Sequence, residues 1–278
     1  MISDVGSAVS WTVEVGGEQT TAVWDPPSRT VKVRAASQEP PDSRTGKVRA
    51  ASPGSSGVAS PVFVCAHGAG GQMNDRSMLS IRDALTAAGL GVVRFNFLYR
   101  AKGSARPDPM PRLLACWSAV ADRVRRELQP EILILGGRSM GGRAASMLVA
   151  DPSTRSAGSG QDGAACDGLL LLAYPLHPPG ATDKLRADHL SKITVPVLCF
   201  NGTRDAFCER PLMERVLSNL TGKWRMHWLD DADHGFHVLK RSGRTDADVL
   251  QEVARETRDW LASAVRPAGS GGLSQLNL

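Results

Sequence analysis

The run Glu131-Ile-Leu-Ile-Leu-Gly-Gly-Arg-Ser-Met-Gly-Gly-Arg-Ala-Ala-Ser-Met-Leu-Val-Ala150 decides the fold. Its opening, Glu131 to Leu135, is almost wholly apolar, as expected of a strand covered on both faces. Its close, Arg143 to Ala150, is built of small and aliphatic residues and reads as a tightly packed helix. Between them lies Gly137-Arg138-Ser139-Met140-Gly141. A strand that turns straight into a helix holds its central residue in a strained conformation, and the residues two before and two after must be tiny. Gly137 and Gly141 meet that need, with Gly136 and Gly142 beside them. No Gly-Lys-Ser/Thr follows, which excludes a Walker phosphate loop. Ser139 is therefore the candidate nucleophile.

The same alternation runs outward from this point. Pro61 to Ala66, Gly91 to Phe97, Gly168 to Tyr174 and Val195 to Phe200 are further apolar strands, and Lys223 to Leu229 alternates as the last. Met78, Ile81, Leu85 and Ala88 follow at helical spacing with Gly89 as a stop. Leu113, Trp117, Val120, Val124 and Leu128 share one face of a second helix. The closing helix starts near Thr245, where Thr245-Asp246-Ala247-Asp248 resembles a capping box, and turns Leu250, Val253, Thr257, Trp260 and Leu261 inward. Apolar strands alternating with helices predict an α/β fold with a mainly parallel sheet covered on both faces. Trp11 to Val15 and Thr30 to Arg34 alternate instead, and are expected as antiparallel N-terminal edge strands. One domain is expected: edge strands and a basic loop over 1–60, the core over 61–267, and a flexible Gly/Ser tail over 268–278.

Composition agrees with a globular protein of 278 residues, 42% apolar and 22% charged. The net charge of +5 is concentrated. Between Ser28 and Ser52 six basic residues face two acidic ones, leaving the remainder near neutral, which argues against a nucleic-acid enzyme. That segment is a duplication, Ser28-Arg-Thr-Val-Lys-Val-Arg-Ala-Ala-Ser37 recurring as Ser43-Arg-Thr-Gly-Lys-Val-Arg-Ala-Ala-Ser52. It reads as a strand copy plus loop extension, or as a basic arm for a protein partner. Cys65, Cys116, Cys166, Cys199 and Cys208 form no CxxC pair, so neither a zinc knuckle nor a disulfide framework is expected. Met1-Ile-Ser-Asp4 carries no secretory pattern and no apolar run is long enough for a bilayer, so a cytoplasmic protein without membrane association is expected.

A serine hydroxyl needs a base, and the base needs a carboxylate to fix its tautomer. Asp205 follows the strand ending at Phe200, and His234 follows the strand ending at Leu229, both at strand C-termini where such sheets place their sites. His227, inside a strand, and His237, beyond Gly235, are expected to serve packing or solvation. No second histidine stands at helical spacing, so no metal site is expected around Asp231, Asp233 and His234, and no cofactor is implied. Acyl transfer also needs oxyanion donors. The N–H of Met140, opening a helix, is one candidate. The other comes from His67-Gly68-Ala69-Gly70-Gly71, where Ala69 is the first choice and Gly70 the second, with His67 read as a brace for the loop.

His-Gly-Ala-Gly, Gly-Arg-Ser-Met-Gly-Gly-Arg, Gly-Thr-Arg-Asp and Asp-His-Gly-Phe are similar to the α/β-hydrolases related to dienelactone hydrolase. Phe95-Asn-Phe-Leu-Tyr-Arg100 and Tyr174-Pro-Leu-His-Pro-Pro-Gly180 resemble a branch that includes a testis-expressed protein and the third regulatory subunit of the NSL histone acetyltransferase complex. Leu98 departs from the proline expected there. The resemblance spans about Pro61 to Val265 and implies a Ser139, Asp205, His234 triad. The expected activity is hydrolysis of an ester, thioester or related acyl bond of a small molecule. A catalytically idle scaffold and an acyltransferase are the alternatives. Only 65 residues separate Ser139 from Asp205, which leaves no room for a large cap. Tyr99, Arg100, Tyr174 and His177 are expected to wall an open substrate pocket, with Arg100 or Arg138 available to an anionic substrate.

Overall fold

The computed structural model of the chain describes residues 7–28, 60–151 and 166–265. The duplicated basic segment and the tail lie outside the described residues, as does the expected strand over Thr30 to Arg34. Among the described residues eight strands form one sheet in the order β1-β2-β4-β3-β5-β6-β7-β8. They are β1 (Val9–Val15), β2 (Glu18–Asp25), β3 (Val62–Ala66), β4 (Gly91–Phe95), β5 (Leu133–Arg138), β6 (Gly168–Leu172), β7 (Val197–Gly202) and β8 (Trp224–Leu229). β1 and β2 are antiparallel, β2 pairs antiparallel with β4, and the rest are parallel.

The helices are α1 (Arg76–Ala87), α2 (Leu98–Ala101), α3 (Met110–Leu128), α4 (Met140–Ala150), α5 (Arg210–Ser218) and α6 (Asp246–Ala264). Strand period and sheet coverage explain each other. Val62, Val64 and Ala66 of β3 join Leu135, Leu169 and Val197 on the face covered by Trp117, Leu148 and Met213 of α3, α4 and α5. The alternate residues Phe63 and Cys65 join Ile134, Leu170 and Phe200 on the opposite face, against Met78 and Leu85 of α1 and Trp260 of α6. Every second side chain therefore enters a different core, which is why these strands read as unbroken apolar runs. The helix faces read from spacing are buried as expected on α3. On α6 Val249 takes the inward place expected of Leu250, which is half-buried. Thr245 caps α6 as read: its hydroxyl accepts from Asp248 N–H while the Asp248 carboxylate accepts from Thr245 N–H, an arrangement worth about 1 kcal/mol.

Four elements, β2, β5, α2 and α5, differ from the sequence reading. β2 (Glu18–Asp25) has no counterpart in the sequence reading and is closed onto β1 by the Gly16-Gly17 turn, whose φ values of 56° and 84° suit glycine. Its buried positions Thr20, Ala22 and Trp24 are too mixed to announce a strand. β5 begins at Leu133, two residues later than expected, and continues through Gly136, Gly137 and Arg138, so the first half of the serine motif is strand. α2 and α5 have no counterpart in the sequence reading. No separate large cap domain is present among the described residues: between β6 and β7 the chain forms loops and one 3-10 turn, Leu190–Lys192. Among the described residues no helix is long and apolar enough to cross a membrane.

Candidate active site

The C-terminal ends of β3, β5, β7 and β8 meet at one edge of the sheet. Ser139 stands between β5 and α4 with φ 49° and ψ −117°, a conformation L-residues rarely adopt. It is held there from both sides. Ser139 N–H donates to Leu172 O on β6 at 2.8 Å, and Trp117 Nε1–H of α3 donates to Gly141 O at 3.2 Å. The glycines are required by close approach. A Cβ on Gly137 would lie 2.3 Å from Ala66 O, and one on Gly141 would lie 2.6 Å from both Ala66 O and His67 O.

His234 Nδ1 lies 2.9 Å from each carboxylate oxygen of Asp205, and its Nε2 lies 2.9 Å from Ser139 Oγ. An ionised carboxylate only accepts, so Nδ1–H donates to Asp205 and Nε2 is left to accept the Ser139 hydroxyl proton. The Asp205 side chain is fully buried while that of His234 is 23% exposed. Asp205 is fixed by more than its histidine. Phe207 N–H donates to Oδ1 at 2.8 Å and Asn201 Nδ2–H to Oδ2 at 3.0 Å. Asn201, at the end of β7, also exchanges hydrogen bonds with the Tyr174 backbone, tying the acid to the neighbouring strand. The His234 turn is shaped by Asp233, whose Oδ1 accepts from the N–H groups of Gly235 and His237. Arg138 Nη2–H donates to His234 O at 2.8 Å and pins the same turn from below. Burial lowers the Arg138 pKa from its ordinary value, opposed by the charges of Asp233 and Asp205.

A second serine and histidine also touch, Ser146 Oγ and His189 Nε2 at 2.8 Å. The Ser146 hydroxyl already donates to Arg143 O at 2.8 Å, so its oxygen accepts from His189 rather than surrendering a proton to it. No carboxylate hydrogen-bonds to His189 among the described residues. Burial, aided by Arg143, lowers the His189 pKa to about 4. This pair is packing.

A cavity of about 290 Å3 opens over Ser139, walled by Gly68, Ala69, Arg138, Phe207 and His234. Ala69 lies in its lining, and Gly68 stands beside the serine, where a Cβ would make ordinary contact with Ser139 Cβ at 3.5 Å. Met140 opens α4, where first-turn N–H groups have no intrahelical acceptor. Gly70 adopts φ 71° in the turn beyond. His67 is fully buried, with Nδ1–H donating to Gly68 O at 2.8 Å and Phe97 N–H donating to Nε2 at 3.2 Å. Burial lowers its pKa to about 4.

The expected pocket walls lie elsewhere. Tyr99 is buried edge-on against His67, and Tyr174 is buried with its hydroxyl donating to Arg186 O. His177 is buried as a strut, Nδ1–H donating to Pro178 O and Nε2 accepting from Glu209 N–H. Arg100, on α2, folds over to donate to Ser104 O in the loop that follows. Tyr99, Tyr174 and His177 thus belong to the core, and the phenyl ring in the cavity wall is that of Phe207, its centroid 4.2 Å from that of the His234 ring. Phe207 lies two residues after Asp205, a place with no signal in the sequence.

A family described as an alpha/beta hydrolase domain matches residues 59–262. The chain belongs to this family. Its structure is similar to an alpha-beta serine hydrolase homologue from Coxiella burnetii, with TM-score 0.63 and 18% identity, covering 91% of this chain and 99% of that one. It is also similar to an α/β serine hydrolase without a lid from Xanthomonas campestris, with TM-score 0.61, 20% identity, and coverage of 91% and 94%. A dienelactone hydrolase from Anabaena variabilis matches with TM-score 0.60, 17% identity, and coverage of 94% and 99%. At these identities the structural likeness speaks for the fold.

Proposed function

We propose that the chain is a serine hydrolase acting on an ester, thioester or related acyl bond of a small molecule. The observation that carries this is the relay from Asp205 through His234 to Ser139, each link 2.9 Å long. Ser139 Oγ attacks the acyl carbon as His234 Nε2 takes its proton, and Asp205 stabilises the imidazolium. The N–H groups of Ala69 and Met140 receive the oxyanion, each worth on the order of 3 kcal/mol in the transition state. His234 then protonates the leaving group, and a water deprotonated by His234 releases the acyl group from Ser139. An idle scaffold has no use for a strained serine beside a buried carboxylate. The exposed edge of His234 admits water, which favours hydrolysis over transfer to another acceptor. Within the family, the Phe95–Arg100 and Tyr174–Gly180 runs support a place in the branch with the testis-expressed protein and the NSL subunit. Five unpaired, buried thiols fit a cytoplasmic setting.

The test is labelling by a fluorophosphonate probe together with hydrolysis of short 4-nitrophenyl esters. Wild type is expected to react in both assays and Ser139→Ala in neither. Wild-type activity in Ser139→Ala would overturn the assignment.

A further inference from the structure

A larger cavity, about 620 Å3, lies beside the catalytic one and meets it at Arg138 and Ser77. We propose that it binds an anionic end, carboxylate or phosphate, on the acyl group of the substrate, held between Arg138 and Arg76. This rests on the hydrolase reading above and names its substrate class: an acyl chain whose far end is charged.

The charges in this cavity are unevenly matched. Arg138 spends one donor on His234 O, and no carboxylate lies within ion-pairing distance of its guanidinium among the described residues. Asp233 and Asp205 pull on it from farther away. Their oxygens are engaged, Asp233 by Gly235 and His237 N–H, and Asp205 by Asn201, Phe207 and His234. Arg76, exposed at the start of α1, likewise has no carboxylate within ion-pairing distance among the described residues, although its charge reaches Asp246 and helps to lower the pKa of that carboxyl. The carboxylate in the lining, Asp246, is already taken by His237 Nδ1–H at 2.9 Å and Val238 N–H at 3.0 Å. Two arginines thus line a cavity whose one carboxylate has its oxygens hydrogen-bonded to His237 and Val238, and Ser77 and Ser80 add neutral hydroxyls to the lining. Guanidinium suits a planar or tetrahedral oxyanion because it offers paired N–H donors. The remaining wall is apolar, Ile81, Phe236 and Leu250, which fits the methylene chain leading back to the scissile carbonyl at Ser139. Arg138 spans both spaces, so it anchors the anion while its neighbour in sequence attacks.

The experiment has two arms. In the first, kcat/KM is compared for mono-4-nitrophenyl glutarate and the uncharged 4-nitrophenyl butyrate. Wild type is expected to prefer the charged ester, and Arg76→Gln to lower that preference about tenfold, the scale of one lost charge-assisted contact. In the second, Ser139→Ala is titrated calorimetrically with glutarate and with propyl phosphate, which separates carboxylate from phosphate without needing turnover. Binding of either anion, weakened in Ser139→Ala/Arg76→Gln, supports the site even where no ester is cleaved, and in that case only the hydrolase reading falls. Equal rates on the two esters, with neither anion bound by Ser139→Ala, overturn the site and leave the hydrolase reading standing.

Discussion

Glycine is expected to be the more stabilising replacement at Ser139, and alanine the less, which reverses their usual order. Ser139 sits at φ 49° and ψ −117°. A residue with a Cβ held in such a region costs about 1–3 kcal/mol, which glycine avoids. Glycine also loosens the unfolded chain, at a cost of about 0.4–1 kcal/mol. Both replacements lose the hydroxyl contact with His234 and both keep the backbone bond to Leu172 O, so these contributions cancel. The difference leaves Ser139→Gly more stable than Ser139→Ala by about 1 kcal/mol, equivalent to about 2–4 °C in melting temperature for a domain of this size. Urea denaturation of the two inactive variants, read by tryptophan fluorescence with a common slope, measures it. An alanine variant as stable as the glycine variant would mean that the elbow is relaxed and that the strain argument is wrong.

Asp205→Asn is expected to keep the fold and lower kcat by on the order of a thousandfold or more, because an amide can donate to Nδ1 and favours the wrong imidazole tautomer; a loss under tenfold refutes the role given to Asp205. Gly141→Ala forces a methyl within 2.6 Å of two backbone oxygens that cannot yield independently. It is expected to cost about 1–3 kcal/mol in urea denaturation and to suppress fluorophosphonate labelling as well, since the serine moves with the turn. His67 is held near pKa 4 when folded, against 6.5 as its ordinary value. The unfolded chain therefore binds the proton first, so its contribution is intact above pH 6.5 and is lost as pH falls towards 4, by about 3 kcal/mol. His67→Asn should flatten that part of the stability profile, and an unchanged slope removes the assignment.

The parts of the fold legible from sequence are those in which a single physical cause shapes a long stretch. β3, β5, β6 and β7 are covered on both faces and each opens on or carries an unbroken apolar run, so their identity needs no partner information. β2 depends on the Gly16-Gly17 turn and on pairing with β1 and β4. Its Thr20 and Thr21 carry no comparable signal. The strained serine is legible because the close approach of Ala66 permits only glycine at positions 137 and 141, two residues either side of it. The cavity wall was not. Whether Tyr99 or Phe207 faces the substrate depends on how loops cross above the sheet, and a buried aromatic has the same sequence appearance as a lining one. Arg138 shows the same limit, since its position in the motif was plain but its reach into two cavities required the α1 and α6 first turns to be in place.

The assignment of the base turns on what each histidine does with its second nitrogen. The chain has six. His67 and His177 each donate from Nδ1 to the carbonyl of the adjacent or same loop and accept a backbone N–H at Nε2, leaving no lone pair for a substrate proton. His189 donates to a serine whose own proton is already placed. His227 lies between Glu252 and Glu256 on the far side of β8, where both ring nitrogens face carboxylates. His237 is paired with Asp246 in the open. His234 alone has a carboxylate on one nitrogen and an unassigned hydroxyl proton before the other. The two bracing histidines are also what make that geometry possible. His67 fixes the loop that carries Ala69, and His177 ties the loop after β6 to the turn that carries Asp205, so the two sides to which the proposed reading gives the oxyanion and the acid are each held by an imidazole bonded only to backbone.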